Sequence, residues 1–241
     1  MKKFSIMLLA AVFLVGCQNS GNDDLVKKVA DLEAKVAAMN EIQTQIAQKA
    51  GLGALVRPDE LQFADGHKLG SETAKVAILE FTDLQCPFCG KFNSETWPEL
   101  KKKYVDSGKV LFVGREFPLH VAHPQAPFAA LTLRCAATQN IYQPVKDLMF
   151  ANQGTLNQEV VDTELKKLNA DVAKHAECMK SQDFQLGVRD SAKYARALGL
   201  SSTPTFFIGV NTGKGVTEYQ EVVGAKSLEE FSSIIDTLLA K

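Results

Sequence analysis

Two cysteines spaced three apart, Cys86 and Cys89, are the residues of this 241-residue chain best suited to do chemistry. One thiol of such a pair can attack a disulfide, and the other can resolve the mixed disulfide that forms. At a helix N-terminus, unpaired N–H groups and the helix dipole stabilise the first thiolate. Pro87 fits the first turn, where its missing N–H is not needed, and Phe88 completes the motif. We therefore expect Cys86 to be the nucleophile and Cys89 the resolving thiol.

A zinc site and an inert structural disulfide are the alternatives for this pair. Structural zinc sites usually take two CxxC or CxxH pairs, whereas Cys135 and Cys178 are isolated and far apart in the chain. His120 and His123 stand near prolines, and no carboxylate motif accompanies them. The sequence therefore predicts redox chemistry with no metal and no organic cofactor.

An apolar, β-rich run precedes the cysteine pair and begins a mixed pattern of elements. Residues 76–81 predict a buried strand, after which the pair starts a helix that Pro98 should bend or divide. Residues 125–200 are rich in Ala and Leu and predict a helical block, and Ser227 caps a final helix. Further strands are expected at residues 110–113, 205–208 and 219–223, with a turn at 211–215. The order predicts an α/β fold whose small mixed sheet is interrupted by a helical insertion.

The first residues resemble a bacterial lipoprotein signal. Lys2 and Lys3 precede an apolar run over residues 4–15, and the segment ends in a lipobox-like sequence at Cys17. Acylation of Cys17 explains the odd number of five cysteines, because four then remain to pair. An ordinary signal peptide with a chance cysteine is the alternative.

Charge and hydrophobic composition argue against nucleic-acid binding and against membrane-spanning helices. The formal net charge of −1 offers no basic field for a nucleic acid, and a hydrophobic fraction of 46% can build a core. No segment after the signal approaches 18 consecutive apolar residues, so no helix is expected to span a membrane.

A second pattern, between the signal and residue 53, predicts an amphipathic helix of about three heptads. Gln43 interrupts its apolar seam, and Gly51 and Gly53 end the helix. The members of the seam are Leu25, Val29, Leu32, Val36, Met39 and Ile46. A narrow seam of this kind indicates self-association into a dimer or trimer, and the alternatives are a solvated stalk or a helix folded back on the domain.

Several motifs together resemble the DsbA family of the thioredoxin superfamily. The similarity covers about residues 66–240, and the motifs occur in the family's order. They are Leu79-Glu80-Phe81, Cys86-Pro87-Phe88-Cys89, Arg115-Glu116-Phe117-Pro118-Leu119, His123-Pro124 and Ser202-Thr203-Pro204-Thr205-Phe206-Phe207-Ile208. The resemblance implies a thioredoxin fold with an inserted helical domain, here preceded by the amphipathic helix.

The resemblance also implies roles for single residues. Glu80 matches a buried acid that helps to move the proton of the second cysteine, although a strand-end carboxylate in water is the alternative. Pro204 matches a cis-proline that faces the cysteine pair, and the backbone beside it, at Thr203, would pair with a bound peptide. Some relatives carry a second disulfide in the helical insertion, which implies a bond between Cys135 and Cys178, with two buried thiols as the alternative.

Side chains near the pair divide into exposed and core positions. Phe88, inside the motif, should be exposed and contact substrate together with Pro87, whereas Phe92 and Trp97 are expected in the core. His123 is either a functional neighbour of the site or a histidine packed under a loop at a helix start.

The expected domains follow from these assignments. They are a lipoprotein signal peptide at 1–16, a lipid-anchored stalk and oligomerisation helix at 17–53, the first part of the thioredoxin fold at 54–124, a helical insertion at 125–189 and the second part of the thioredoxin fold at 190–241.

The implied function is the formation or isomerisation of disulfide bonds in exported, cysteine-containing proteins. A membrane redox partner would reset the site, and the lipid anchor would hold the protein in the bacterial periplasm. Gln18 after the lipidated cysteine resembles an outer-membrane sorting pattern. A lipid-anchored peptide-binding chaperone or adhesin with a merely structural disulfide is the alternative.

The direction of exchange depends on details of the motifs. Strongly oxidising family members carry a His where this chain has Phe88, and Thr203 resembles the isomerase and reductase-side members. Self-association is a further isomerase property. The sequence therefore predicts an enzyme able both to oxidise and to isomerise.

Overall fold

The computed structural model describes residues 20–241, so the predicted signal peptide and Cys17 lie outside the described residues. The chain divides into two units, one ending at Gln43 and one spanning Thr44–Lys241. The first unit contains most of a 30-residue helix, α1 (Ser20–Lys49), as the heptad pattern predicts. Among the described residues, no helix combines the length and apolar character required to cross a bilayer.

The second unit contains the predicted strands and helices in the predicted order, with two further strands at its start. Its strands are β1 (Glu60–Gln62), β2 (His67–Leu69), β3 (Val76–Thr82), β4 (Val110–Glu116), β5 (Thr205–Asn211) and β6 (Gly215–Val223). Its α-helices are α2 (Pro87–Lys91), α3 (Trp97–Leu100), α4 (Ala126–Ala137), α5 (Tyr142–Ala151), α6 (Gln158–Lys167), α7 (Val172–Lys180), α8 (Gln182–Ala197) and α9 (Leu228–Ala240). A short 3-10 helix, Gly53–Val56, precedes the first strand.

The six strands form one mixed sheet in the order β1-β6-β5-β3-β4-β2. Strand β3 lies at the centre, parallel to β4 and antiparallel to β5, and all of its residues are buried. The sheet and its helices confirm the predicted thioredoxin fold with a helical insertion. Pattern analysis missed β1 and β2, because three residues are too few to show a strand period. The expected turn at 211–215 is shorter than predicted, because its first and last residues belong to β5 and β6.

Alternate residues of the central strands enter two separate cores, as the strand period of two requires. On one face, Leu79 and Phe207 pack with Ala192 and Ala195 of α8. On the other face, an aromatic cluster joins the sheet to the helices after the cysteine pair and to α9. Its aromatic members are Phe92, Trp97, Tyr104, Phe112, Phe206 and Phe231. The sheet is therefore buried on both sides, which fixes the end of β3 rigidly.

The helix after the cysteine pair is divided, as Pro98 predicts. Two π-helical segments, Phe92–Thr96 and Lys101–Val105, flank the short α3 in which Pro98 is the second residue. Proline cannot donate the hydrogen bond that a continuous α-helix requires, so the backbone changes its pitch there.

Helices α4 to α8 form the insertion, and α4 to α6 enclose a separate apolar core in which Leu133, Val145 and Met149 are fully buried. A disulfide joins Cys135 of α4 to Cys178 of α7, the pair that the family resemblance implies. The boundary expected at residue 189 falls inside α8, which also packs on the sheet.

Candidate active site

The two cysteines of the motif lie where β3 has ended and a helix begins. Cys86 is the N-cap of α2 in an extended conformation, and Pro87 is the first helical residue. The Cys86 carbonyl accepts a hydrogen bond from Gly90 N at 3.1 Å. Both thiols are free, with 5% of Cys86 and 1% of Cys89 exposed. Cys86 is therefore the sulfur closer to solvent, and Cys89 is the enclosed one.

The surroundings separate the acidities of the two thiols. The pKa of Cys86 falls to about 5, chiefly because the Cys89 side chain hydrogen-bonds to its sulfur. The Thr203 side chain and the backbone N–H groups of Cys89 and Phe88 lower this pKa further, against the opposing effect of burial. Burial raises the pKa of Cys89 well above its usual value, and the neighbouring Cys86 raises it again. The reduced site thus holds one thiolate on Cys86 and one thiol on Cys89.

The segment before β5 faces the nucleophile. The Thr203–Pro204 peptide bond is cis, and the Cys86 thiol lies 3.4 Å from the Thr203 carbonyl oxygen. The Thr203 hydroxyl is buried and has no hydrogen-bond partner among the described residues. It is thus available to donate to the Cys86 thiolate. The geometry brings together the four residues Cys86, Cys89, Thr203 and Pro204 that the sequence proposed for one site.

Glu80 is buried in β3 rather than exposed at a strand end, with 1% of its surface accessible. Its Oε2 lies 2.6 Å from the Nζ of Lys146, which is equally buried and comes from α5 of the insertion. The ammonium also lies over the rings of Trp97 and Phe112, at 5.6 and 5.3 Å. Sequence reasoning found the acid but missed its partner, because a lysine in an amphipathic helix is normally a surface residue.

Asp83 is a second buried acid, which the sequence analysis missed. Its Oδ1 accepts from Gln85 N, and its Oδ2 accepts from Leu119 N, both at 2.8 Å. His123 Nδ1 lies 2.9 Å from the same Oδ2. The Asp83 backbone N–H also donates to the Cys89 sulfur at 3.5 Å. The only sequence signal was a polar residue between β3 and the motif.

The contact with Asp83 shows which of the two expected roles His123 has. Its imidazole is bonded to Asp83 and is 19% exposed, so it holds the loop after β4 against the segment before the cysteine pair. This arrangement matches the packed alternative for His123.

The insertion also contacts the motif directly. Gln153, which follows α5, donates through Nε2 to the carbonyl oxygens of Leu84 and Cys86, at 3.0 and 2.8 Å. Nothing in the sequence marked this glutamine.

The aromatic residues are distributed as the sequence predicts. Phe88 is 63% exposed beside Cys86, whereas Phe92 and Trp97 are buried in the core. No group of three or more metal-binding side chains occurs within residues 20–241 as described. Phe88 therefore places an exposed, apolar side chain on the surface beside Cys86.

Known proteins resemble this chain in sequence over the part that contains the sheet and the cysteine pair. A family model described as thioredoxin matches residues 63–237. A Na(+)/H(+) antiporter NhaA 1 of Mycobacterium sp. (strain KMS) is 30% identical over 178 residues, covering 71% of this chain but 27% of the antiporter. A Rickettsia felis protein, provisionally named a protein-disulfide oxidoreductase, is 27% identical over 172 residues, covering 67% of this chain and 60% of that protein. The chain therefore spans about a quarter of the antiporter's length and three fifths of the oxidoreductase's length.

A solved structure extends the comparison to three dimensions. The crystal structure of alpha-DsbA1 from Wolbachia pipientis aligns with a TM-score of 0.65 and 25% identity, over 73% of this chain and 92% of that chain. The similarity therefore extends over nearly all of that chain.

The acidity of Cys86 gives a first prediction. In the reduced protein, thiolate absorbance at 240 nm should titrate with a midpoint of about pH 5. The rate at which Cys86 attacks a disulfide should be nearly constant above this midpoint and fall below it, because protonation removes the nucleophile. Cys89→Ala should shift the midpoint upward, since the main hydrogen-bond donor to the sulfur is lost. Cys135 and Cys178 are disulfide-bonded and add no signal. A midpoint that is the same in the wild type and in Cys89→Ala would contradict this assignment.

The buried ion pair gives a second prediction. Glu80→Gln leaves the Lys146 charge enclosed without its partner, so the free energy of unfolding should fall by about 3–5 kcal/mol. The double variant Glu80→Gln, Lys146→Met should be less destabilised than Glu80→Gln alone, because no charge then stays buried. Chemical denaturation measures both values.

A matched control tests whether burial is the cause. Glu164 and Lys167 also lie 2.6 Å apart, but the lysine is 64% exposed. Glu164→Gln should therefore change the stability by no more than about 1 kcal/mol. Equal losses in Glu80→Gln and Glu164→Gln would refute the proposed cost of a buried charge.

Proposed function

The chain belongs to the thioredoxin family, and we propose that it is a thiol–disulfide oxidoreductase that forms and isomerises disulfides in exported proteins. The observation that carries the proposal is the pair of thiols at the start of α2, where the pKa of Cys86 is lowered and the pKa of Cys89 is raised. The name of the Rickettsia relative and the likeness to alpha-DsbA1 support the same activity.

In oxidation, the enzyme begins with a bond between Cys86 and Cys89. A client thiolate attacks the Cys86 sulfur, the internal bond breaks, and the electron pair leaves on Cys89, which takes up a proton. A second client thiolate then attacks the client sulfur of the mixed disulfide. The client gains a disulfide, and the enzyme is released with Cys86 as thiolate and Cys89 as thiol.

In isomerisation, the enzyme begins reduced. The Cys86 thiolate attacks a wrong client disulfide and releases one client thiolate. That thiolate, or another in the client, then attacks elsewhere until Cys86 leaves. If the client stalls, Cys89 loses its proton and attacks Cys86, which releases the client in reduced form.

Cys89 must give up or accept a proton in both directions although it is buried. We assign this transfer to Glu80, the carboxylate enclosed in β3, through its ion pair with Lys146. The pair is enclosed in the core, where charges interact more strongly than in water.

The lowered pKa of Cys86 supports the oxidising direction. A stabilised thiolate favours the reduced state, so the enzyme tends to pass its disulfide to clients, and Cys86 leaves the mixed disulfide readily. The same thiolate is the nucleophile that isomerisation needs, so the geometry is compatible with both activities.

The apolar seam on α1 supports self-association into a dimer or trimer. Its side chains are 51–61% exposed in the single chain, from Leu25 to Ile46. Several sites around one misfolded client would favour isomerisation. We further propose that Cys17 carries a lipid that holds the protein in the periplasm, at the outer membrane, where a membrane redox partner resets the site.

The activity predicts a clear dependence on the first cysteine. The full-length protein should reduce insulin with dithiothreitol and refold scrambled ribonuclease, and Cys86→Ser should abolish both reactions because the nucleophile is lost. Cys89→Ser should instead accumulate mixed disulfides with clients, detected on non-reducing gels, because resolution fails. Activity that survives in Cys86→Ser would favour the peptide-binding chaperone or adhesin.

The role of α1 gives a separate prediction. Leu32→Asp places a charge in the apolar seam, so light scattering should show monomers, and ribonuclease refolding per site should fall while insulin reduction persists. Ala34→Asp, an exposed position off the seam, is the matched control and should keep the assembly. Equal masses for the wild type and Leu32→Asp would exclude association through this seam.

A further inference from the structure

The carbonyl oxygen of Cys86 accepts two hydrogen bonds at the start of α2. Gly90 N donates to it at 3.1 Å, as the first turn of the helix requires, and Gln153 Nε2 donates to it at 2.8 Å. The same Nε2 donates to the Leu84 carbonyl oxygen at 3.0 Å. The amide of Gln153, which comes from the helical insertion, therefore holds the backbone carbonyls of the nucleophile and of the residue two positions before it.

The composition of the motif explains why this carbonyl needs a second donor. Pro87 has no N–H group, so the peptide unit between Cys86 and Pro87 offers only its carbonyl oxygen for hydrogen bonding. That oxygen carries partial negative charge close to a sulfur that is a thiolate in the reduced protein. A donor on the oxygen withdraws part of this charge and so weakens its repulsion of the thiolate.

Gly90 provides the space in which the Gln153 amide lies. A Cβ atom added at this glycine would lie 2.8 Å from Gln153 Oε1 and 3.3 Å from its Cδ. A side chain at position 90 would therefore displace the amide, which is the free end of a flexible side chain. The glycine one turn after Cys86 and the glutamine from the insertion consequently form one arrangement.

We propose that Gln153 is a positioning residue for thiol–disulfide exchange, because its donor on the Cys86 carbonyl stabilises the adjacent thiolate. The inference rests on the proposed function and adds to it a residue that acts only through Cys86. A stabilised thiolate leaves a mixed disulfide more readily. It also favours the reduced protein, which makes the bond between Cys86 and Cys89 a stronger oxidant.

The acidity of Cys86 tests this role without any client. Gln153→Met replaces the amide by an apolar side chain of similar length, so the midpoint of thiolate absorbance at 240 nm should rise by about 0.5 pH units. Gln153→Glu should raise the midpoint further, because a carboxylate offers no donor and adds a negative charge. A midpoint that is the same in the wild type and in Gln153→Met would overturn the proposal.

The equilibrium with glutathione measures the same effect independently. Well above the midpoint, a rise of about 0.5 units in the pKa of Cys86 destabilises the reduced form by a factor of about 3. Gln153→Met should therefore shift the equilibrium about 3-fold towards the oxidised protein at pH 7. A purely structural hydrogen bond would lower the free energy of unfolding equally in both redox states and leave the equilibrium unchanged, and that result would refute the positioning role.

Gly90→Ala reaches the same amide by a second route. This variant keeps Gln153 but displaces its amide, so the midpoint should rise as it does in Gln153→Met. The double variant Gly90→Ala, Gln153→Met should show no further rise, because both changes remove the same hydrogen bond. Rises that add in the double variant would contradict the assignment of the effect to the Gln153 amide.

Gln139 is a matched control from within the insertion. Its Nε2 donates to the Asp171 carbonyl oxygen at 3.1 Å, and its Oε1 accepts from Asp171 N at 2.9 Å. Gln139→Met removes comparable bonds between an amide and the backbone, and it should leave the Cys86 midpoint and the glutathione equilibrium at their wild-type values. An equal shift in Gln139→Met would overturn the proposal.

The outcomes separate this inference from the proposed function. A wild type that exchanges neither with glutathione nor with a client disulfide overturns the proposed function. The absorbance titration needs only the reduced thiols, so it still decides the role of Gln153.

Discussion

The hydrogen bond from the Cys89 thiol to the Cys86 sulfur requires two neighbouring buried thiols to hold different protonation states. Cys89 must stay enclosed to keep its proton, and Cys86 must stay at the helix N-terminus, where its thiolate is stabilised. The fold meets both demands by placing the motif at the point where a fully buried strand becomes a helix. One turn of helix encloses Cys89 and leaves Cys86 at the N-cap, where backbone N–H groups add to the stabilisation of its thiolate.

The polar groups beneath the motif keep this arrangement in place. Asp83 ties the segment before Cys86 to the loop after β4 through Leu119 and His123, and its own N–H points at the Cys89 sulfur. Glu80 ties the same strand to the insertion through Lys146. Both carboxylates are buried, so removing either partner leaves an unpaired group in the core. The site is consequently enclosed on its inner side, whereas Phe88 is exposed beside Cys86.

The helical insertion supplies side chains that contact the groups of the site directly. Lys146 and Gln153 come from α5 and the turn after it, and they contact the buried Glu80 and the Cys86 carbonyl, respectively. One short segment therefore links the buried acid of β3 to the geometry of the motif. The disulfide between Cys135 and Cys178 joins two helices of the insertion and constrains the body from which this segment projects.

The sequence by itself determined the features that depend on neighbours in the chain. The CxxC spacing, the apolar run of β3, the break at Pro98, the cap at Ser227 and the exposure of Phe88 all follow from local periodicity and backbone chemistry. The burial of Glu80 also followed, because apolar residues surround it in its own strand. The family motifs then supplied the role of Pro204 and the pairing of Cys135 with Cys178.

Only the tertiary structure decided which distant groups meet. Lys146 lies 66 residues from Glu80 along the chain, and its own helix gives it the pattern of a surface lysine. Asp83 and Gln153 carry no local signal either, because their partners at Leu119 and Cys86 are brought to them by the sheet and the insertion. Helical and strand periods report which side of an element is apolar, but not which polar group from elsewhere will be buried against it. The physical reason is that a charge or amide can be buried only where a partner satisfies it, and tertiary packing determines which group becomes that partner.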